Sequence, residues 1–386
     1  MDMKLTTEQA QLQDSARRLM DQECTMDFVR AMEASELGYA AEMWTKMAEL
    51  GWLGIILPVE HGGLELGTVE LTILLKELGR HLCPTPFLPT AVIAGDVLAH
   101  AGTDEQRAEF LPRIVAGELV VAFAYQELTR KFDPGEIKLE AVADSAGGFV
   151  LNGTKMFVEY AAAADQFLVV ARSSGAAPSS DGLTMILVDK QSDGLTIKRT
   201  PTMARDHHYE VAFDGVQVPG DRVIGNVGEG WKDLEPSLNK AAVAFSAFTN
   251  GASFELHEQA TEFAKQRVQF GRPIGQLQTI QGYLAQLIME ILGSDTLTTF
   301  TAFNMDKGRH VRGYVGKAKG FAAETVGRTM DIGSQIFGGI GYMEEMDTTL
   351  YLRRGKQYQL SLGGTDYWYD VAAEEIIDVE APVLLT

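Results

Sequence analysis

Cysteine and positive charge are scarce in this sequence, and each shortage closes off a class of protein. Only Cys24 and Cys83 occur among 386 residues. They form neither a disulfide framework nor a Cys-x-x-Cys metal site, and they predict reduced thiols in a cytoplasmic protein. Lysine and arginine number 33 against 53 aspartates and glutamates, giving a net charge of −20. Such a chain repels phosphate backbones, which argues against nucleic-acid binding as a general property. There is no run of 18 apolar residues, so no membrane span is predicted. The first residues, MDMKLTTEQAQLQDSARRLMDQE, are polar and lack the apolar stretch of a signal peptide. The 39 glycines follow no period, which excludes collagen-like and low-complexity chains.

Common catalytic signatures are missing too. No Gly-x-Gly-x-x-Gly follows a predicted strand, and there is no Walker loop, His-Glu-x-x-His or Gly-x-Ser-x-Gly. His207 and His208 are adjacent, so they cannot share one helix face as metal ligands, and they are expected to be solvent-exposed. No metal site is expected.

What is present is a helix–strand–helix order. Apolar content is 46%, enough for a large core. Thr6 and Gln9 have capping-box spacing before an amphipathic stretch containing Leu12, Ala16, Leu19 and Met20. MWTKMAELGWLGIILP, VELTILLKELGRHL and DEQRAEFLPRIVAGE read as further helices, the last kinked or broken at Pro112. From Leu119 the texture changes to short β-rich runs: LVVAFAY, FVL, FLVVA and TMILV. YEVAF and VQV flank Asp214-Gly215, which predicts a hairpin because Asp-Gly tolerates positive φ. Helical periodicity then returns. Phe245, Phe248, Ala252, Leu256, Ala260 and Phe263 make one stripe; Ile280, Tyr283, Leu284, Leu287, Ile288, Ile291 and Leu292 make a second that should be buried. KGFAAETVGRTMDIGSQIF is a third helix, ending at Gly338-Gly339. The fold class is therefore α+β. Domains are expected over 1–118 (helical), 119–227 (β) and 228–386 (helical).

Two patterns could carry chemistry. In the first, Arg267 precedes Gln269, a Phe270-Gly271 break, and glutamines Gln278 and Gln281 opening a new helix. An arginine fork and a helix N-terminus could clamp a phosphorylated cofactor. An ordinary helical hairpin with surface arginines explains it as simply. In the second, Gln335-x-x-Gly338-Gly339-x-Gly341, the glycines permit close backbone approach, or merely cap a helix.

Taken together with LGWLGIILPVEHGG, LNGTKMFVEYAAAADQFLVVA, FDGVQVPGDRVIG and GEGW, these patterns resemble the acyl-CoA dehydrogenase family over nearly the whole chain. The resemblance implies a helical domain, a β-barrel-like middle domain and a C-terminal four-helix bundle. It implies FAD shared at a subunit interface, desaturation of an acyl-CoA, and electron transfer to an electron-transfer flavoprotein. It also implies that Arg267, Gln269, Phe270, Gln278, Gln335, Gly338 and Gly339 reach a neighbour's FAD, whereas Gln126, Phe157 and Thr365 serve this chain's own.

The chain departs from that pattern where the chemistry is done. The family's catalytic glutamate precedes a Gly-Thr pair. Here the pair is Gly364-Thr365, and the residue before it is Gly363. The alternative position, 26 residues before Arg267, is Ala241. Neither can accept a proton. The own-flavin loop aligns with Gln126-Glu127-Leu128-Thr129-Arg130-Lys131-Phe132-Asp133; Phe132 replaces a phosphate-binding serine, and Lys131 could partly compensate. The family's Trp-Ile-Thr aligns with Phe157-Val158-Glu159, making Glu159 a candidate relocated base. Glu344 and Glu345 are other candidates, with solvated helix capping as their plainer role. These departures resemble subunits that pair with a homologous catalytic partner in heteromeric acyl-CoA dehydrogenases.

Overall fold

The computed structural model describes residues 4–129 and 131–377; residues 1–3, Arg130 and residues 378–386 lie outside them. Six helices come first: α1 (Thr7–Glu23), α2 (Met26–Ala34), α3 (Ala41–Glu49), α4 (Thr68–Arg80), α5 (Gly95–Ala101) and α6 (Asp104–Val115). The capping box of α1 is formed. The Gln9 N–H donates to the Thr6 hydroxyl at 3.2 Å, and the Thr6 N–H donates to the Gln9 side chain at 3.0 Å. Pro112 does not break its helix, contrary to expectation. It sits in the final turn of α6, where its missing N–H removes one bond and little helix follows.

The middle domain contains β1 (Val121–Ala124), β2 (Glu140–Ala143), β3 (Phe149–Glu159), β4 (Gln166–Arg172), β5 (Leu183–Asp189), β6 (Leu195–Thr200), β7 (His208–Val218) and β8 (Val223–Ile224). The sheet order is β6-β7-β3-β2-β4-β5-β8, with β1 parallel to β4. The interiors of β4 and β5 are continuously buried, as strands covered on both faces should be. The expected hairpin at Asp214-Gly215 is instead a bulge within one strand. Leu151 pairs with Val216 and Asn152 with Asp214, leaving Gly215 out of register at φ 65°. The Gly215 N–H donates to the Asn152 side chain at 2.9 Å. The Asp-Gly tolerance for positive φ is used, but to bend β7 rather than to reverse it.

The C-terminal part begins with α7 (Gly230–Gln266), followed by the short strands β9 (Val268–Gln269) and β10 (Arg272–Pro273). Then come α8 (Gln278–Asp306), α9 (Arg312–Phe337), α10 (Asp347–Tyr358) and α11 (Thr365–Ile377). These helices and the flanking domains give the acyl-CoA dehydrogenase-like α+β architecture. The apolar stripe of α8 is covered only in part. Leu287 and Ile291 are buried, but Tyr283 and Leu292 are exposed, which corrects the expectation of a fully buried stripe. α7, α9 and α4 cover one side of α8, while Tyr283, Met289 and Leu292 on it stay exposed among the described residues.

The N-terminal and C-terminal helices meet most closely where α4 crosses α7. A Cβ on Gly79 would run into the Phe248 carbonyl, and one on Gly251 into the Lys76 carbonyl. These two glycines let the backbones touch, so each interior space beside the crossing has a defined width. Gly251→Ala should therefore destabilise the chain by about 1–3 kcal/mol through overpacking. Urea unfolding with an unchanged m-value and a lower midpoint is the expected result.

Candidate functional site

Two cavities meet at the face of the β domain. One, of about 430 Å³, is lined by Tyr125, Gln126, Phe157, Glu159, His208 and Leu362 among others. A larger cleft of about 1050 Å³ adjoins it through Gln126, Phe132, Lys356 and Leu360 and extends to Gly363, Thr365 and Tyr367. Thus Gln126, Phe157, Glu159, Gly363 and Thr365, separated in sequence, are brought to one region. The loop 125–127 is held there by Lys155. This buried ammonium donates to the Tyr125 carbonyl and to Glu127, both at 2.8 Å. Glu127 also accepts the Leu139 N–H at 2.9 Å. Burial pulls Lys155 down to about 8, although Glu127 opposes the shift.

The second set of predicted residues converges at one end of the helical bundle. Phe270 and Gly271 have φ values of 53° and 76° and form the two-residue turn between β9 and β10. Phe263 packs on Phe337 with ring centroids 4.6 Å apart, tying the end of α7 to the end of α9. Arg267, Gln269, Gln278, Gln335 and Gly339 are exposed around this joint, and Phe270 is 88% exposed. The first turn of α8 has no side-chain cap, so its N–H groups are open to an anion. A Cβ at Gly338 or Gly339 would meet nothing within 4 Å. These residues do not line either cavity of their own chain.

Both usual base positions are closed to a carboxylate. Ala241 is fully buried in the apolar core. Gly363 has φ 90°, and a Cβ there would lie 2.9 Å from Tyr367, 2.9 Å from Trp368 and 3.2 Å from Phe132. Its turn is pinned on both sides. The Trp368 indole N–H donates to the Leu362 carbonyl at 2.8 Å, and Lys319 donates to the Gly363 carbonyl at 3.2 Å. Lys319 is buried beneath the Phe245 ring, and that burial pulls it down to about 7. Glu159 lines the smaller cavity; its recorded polar contact is His208 at 3.9 Å. Burial raises its pKa, with His208 opposing and Asp206 assisting. Glu344 pairs with Arg205, and neither it nor Glu345 caps α10, whose N-cap is Met346.

Both histidines are buried, contrary to the expectation of solvent exposure. His207 lies just before β7 and meets Arg199 and the Tyr209 hydroxyl, each at 3.0 Å. His208 holds the Phe157 carbonyl at 3.1 Å and Asp206 at 3.1 Å. Burial would lower His208, but Asp206 outweighs it and holds the imidazole at about 9. The same pair draws Asp206 down to about 2 against the effect of its own burial. Gln357 of α10 bonds to Asp206, so the middle domain is tied to the C-terminal helices here. The triplet Asp206-His207-His208 carried this signal in the sequence, but its partner on α10 lies 151 residues away.

Models of the acyl-CoA dehydrogenase N-terminal, middle and C-terminal domains match residues 6–118, 122–216 and 228–377. The chain belongs to the acyl-CoA dehydrogenase family. It is 30% identical over 382 residues to the acryloyl-CoA reductase (NADH) of Anaerotignum propionicum, covering 98% of this chain and 96% of that one. Among solved structures, the Tcur3481-Tcur3483 steroid ACAD is similar with a TM-score of 0.86 at 31% identity, over 96% of this chain and 98% of that one. The ChsE4-ChsE5 complex from Mycobacterium tuberculosis is similar with a TM-score of 0.88 at 25% identity, over 99% and 100%.

FAD is the cofactor this family implies, and the two regions fit it unequally. Its pyrophosphate is anionic. The larger cleft presents Asp133, Glu235, Asp366, Asp370 and Glu374. Of its cations, Arg312 is bonded to Glu235 and Glu374 and Lys356 to Asp331, and Lys131 is an exposed third. Phe132, where a serine would donate, packs on Tyr125 and Tyr367 instead. With five carboxylates against three cations, that cleft fits a pyrophosphate less well than the bundle end does. The bundle end presents exposed Arg267, an open helix N-terminus and two unobstructed glycines.

Two outcomes follow for this acyl-CoA dehydrogenase family member. The stability supplied by His208 should be complete below pH ~6.5 and lost as the pH rises through about 9, because folding raises its pKa. Urea midpoints of wild type and His208→Gln should therefore differ more at pH 6 than at pH 9.5. Restoring the family's base by Gly363→Glu should fail: the side chain meets Tyr367 and Trp368 from a left-handed backbone. A loss of about 1–2 kcal/mol from the backbone alone is expected, with no desaturase activity gained.

Proposed function

We propose that this chain is a subunit of an FAD-dependent, heteromeric acyl-CoA dehydrogenase, and that it completes the FAD site of a homologous catalytic partner. The observation that carries this reading is the contrast between its two regions. Position 363 has no room for a base and the adjoining cleft is acidic, while the Arg267 surface is open and suited to phosphate.

In this reading Arg267 binds the pyrophosphate with its planar fork, assisted by the first N–H groups of α8. Gln278 and Gln335 would face its adenosine side, and Gly338 and Gly339, lacking side chains, would permit close approach. FAD, when bound, would supply hydride acceptance, and the desaturation would also need a carboxylate to take the substrate's α-proton. The partner supplies that carboxylate, since Gly363 and Ala241 cannot. The uncovered side of α8, with Tyr283, Met289 and Leu292 exposed, is the surface on which such a partner would pack. An electron-transfer flavoprotein would reoxidise the complex. The likeness to a steroid acyl-CoA dehydrogenase and to a two-protein complex supports a ring-bearing acyl group and a heteromer as the first possibilities to assay.

Glu159 favours a second reading, a homo-oligomeric flavoenzyme of the same fold doing other chemistry, such as monooxygenation or elimination. It is a carboxyl without a hydrogen bond in the chain's own cavity. The two readings separate by purification of the chain alone and with a homologous partner. Arg267→Ala should reduce flavin retained by the complex at least tenfold while the assembly stays intact, read by the flavin absorbance of size-exclusion peaks. Full desaturation by the lone chain would sink the subunit reading. Unchanged flavin in the Arg267→Ala complex would point to a purely structural role.

A further inference from the structure

The chain's two cysteines, far apart in sequence, are neighbours in space. Cys24 caps the C-terminus of α1, and Cys83 lies two residues beyond His81, the C-cap of α4. The Cys24 thiol donates to the His81 carbonyl at 3.7 Å, and the His81 Nδ1–H donates to the Cys24 carbonyl at 3.3 Å. His81 Nε2 also meets Asp21, in the last turn of α1, at 3.1 Å. These contacts hold the two helix ends together, and the two thiols are hydrogen-bonded neighbours. Both are buried and reduced.

Access to the two is unequal. Cys24 is 0% exposed and enclosed in the core. Cys83 lies on the wall of a third internal space, of about 60 Å³, with Tyr160, Phe248 and Arg354. That space adjoins the smaller cavity, with which it shares Glu159, His208 and Gln357. A site holds one water-sized molecule from about 10–15 Å³ upward, so hydrogen peroxide fits beside Cys83. The neighbouring Cys24 thiol and burial push the Cys83 thiol well above its ordinary value, and the Arg354 guanidinium opposes them. Cys83 is therefore mostly protonated, and its oxidation is slow.

The cysteines flank the segment that anchors Arg354. Leu82, beside Cys83, has φ 49°, and its carbonyl accepts from Arg354 at 3.0 Å. Glu33 of α2 holds the same guanidinium at 3.2 Å. Residues 24–83 contain α2, α3 and α4, so a bond between the two sulfurs would close all of these Arg354 anchors into one ring. Closing such a ring restricts the unfolded chain and stabilises the folded one.

We propose that Cys24 and Cys83 are a redox pair, in which a small hydroperoxide oxidises Cys83 and Cys24 then closes a disulfide that locks α1 onto the end of α4. In the first step the Cys83 sulfur attacks the peroxide, the O–O bond breaks, one oxygen stays on sulfur as a sulfenic acid and the other leaves as water. In the second the Cys24 sulfur displaces that oxygen as a second water and the S–S bond forms. The two thiols lose two electrons and two protons, which the peroxide takes up. Neither step involves flavin, the Arg267 surface or a partner chain, so this inference fails or holds independently of the proposed function.

The test exposes the reduced full-length chain to hydrogen peroxide in native buffer and reads it by intact mass and non-reducing peptide mapping. The chain should lose the mass of two hydrogens, yield a linked Cys24–Cys83 peptide and melt about 3–6 °C higher, all reversed by dithiothreitol. Cys24→Ser should stop at a sulfenic acid on Cys83 that dimedone traps, and Cys83→Ser should leave Cys24 unmodified under the same exposure. The inference is overturned if wild type gains oxygen without a link, if the link forms only in urea, or if nothing reacts. It is overturned as well by a linked chain that melts no higher, or by dimedone labelling of Cys24 in Cys83→Ser.

Discussion

Arg354 is fully enclosed where the three domains meet, and its charge has to be balanced there or the meeting point comes apart. It donates to the Leu82 carbonyl at 3.0 Å, just beyond α4, and to Glu33 of α2 at 3.2 Å. Asp206 of the middle domain and Tyr358 of its own helix add favourable field, so its pKa is raised in spite of burial. Asp206 in turn holds His208 and Gln357. One guanidinium therefore recruits a residue from each domain. Leaving such a cation unpaired costs about 3–5 kcal/mol, more than most single contacts in a fold contribute. Both cavities open beside this network, so their shape depends on it.

The same network explains why the inner wall of the smaller cavity is polar but not reactive. Its charges are matched internally, and the histidine has both ring nitrogens engaged. Outside the network, the part-exposed Glu159 carboxyl and the face of Phe157 border the open space. At position 363 the backbone itself crowds out a side chain. A left-handed Gly363 locked by Trp368 and Lys319 cannot regain a carboxylate by one substitution. The electrostatics of the two regions then diverge. One cleft gathers carboxylates, while the bundle end exposes an arginine and an uncapped helix.

Much of this was legible beforehand, for reasons that can be named. The capping box at Thr6, the helical stripes of α7 and the β-rich texture after Leu119 are local patterns, and local patterns survive into the fold. Misreadings arose where a local signal had two structural uses. Asp214-Gly215 permits positive φ in a hairpin or in a bulge, and only the pairing partner Asn152 decides between them. Pro112 breaks a helix in mid-course but is harmless in a last turn. His207 and His208 looked like surface residues because their partners, Arg199, Asp206 and Gln357, come from different elements. Arg354 was passed over, although it occupies the apolar face of α10 with Tyr351 and Tyr358.

The sequence by itself determined the family, the order of domains and the residues missing from the base positions, because these depend on periodicity and on which side chains exist. It determined also that Arg267, Phe270-Gly271, Gln278 and Gln335 through Gly339 form a spaced set. Only the tertiary structure decided that this set gathers at one exposed end of the bundle, away from the chain's own cavities. It alone decided that Gly363 is closed rather than merely substituted, and that Glu159 and Phe157 border one cavity. Those facts depend on distances between residues far apart in the chain, which are set by packing and burial and leave no mark on neighbouring positions.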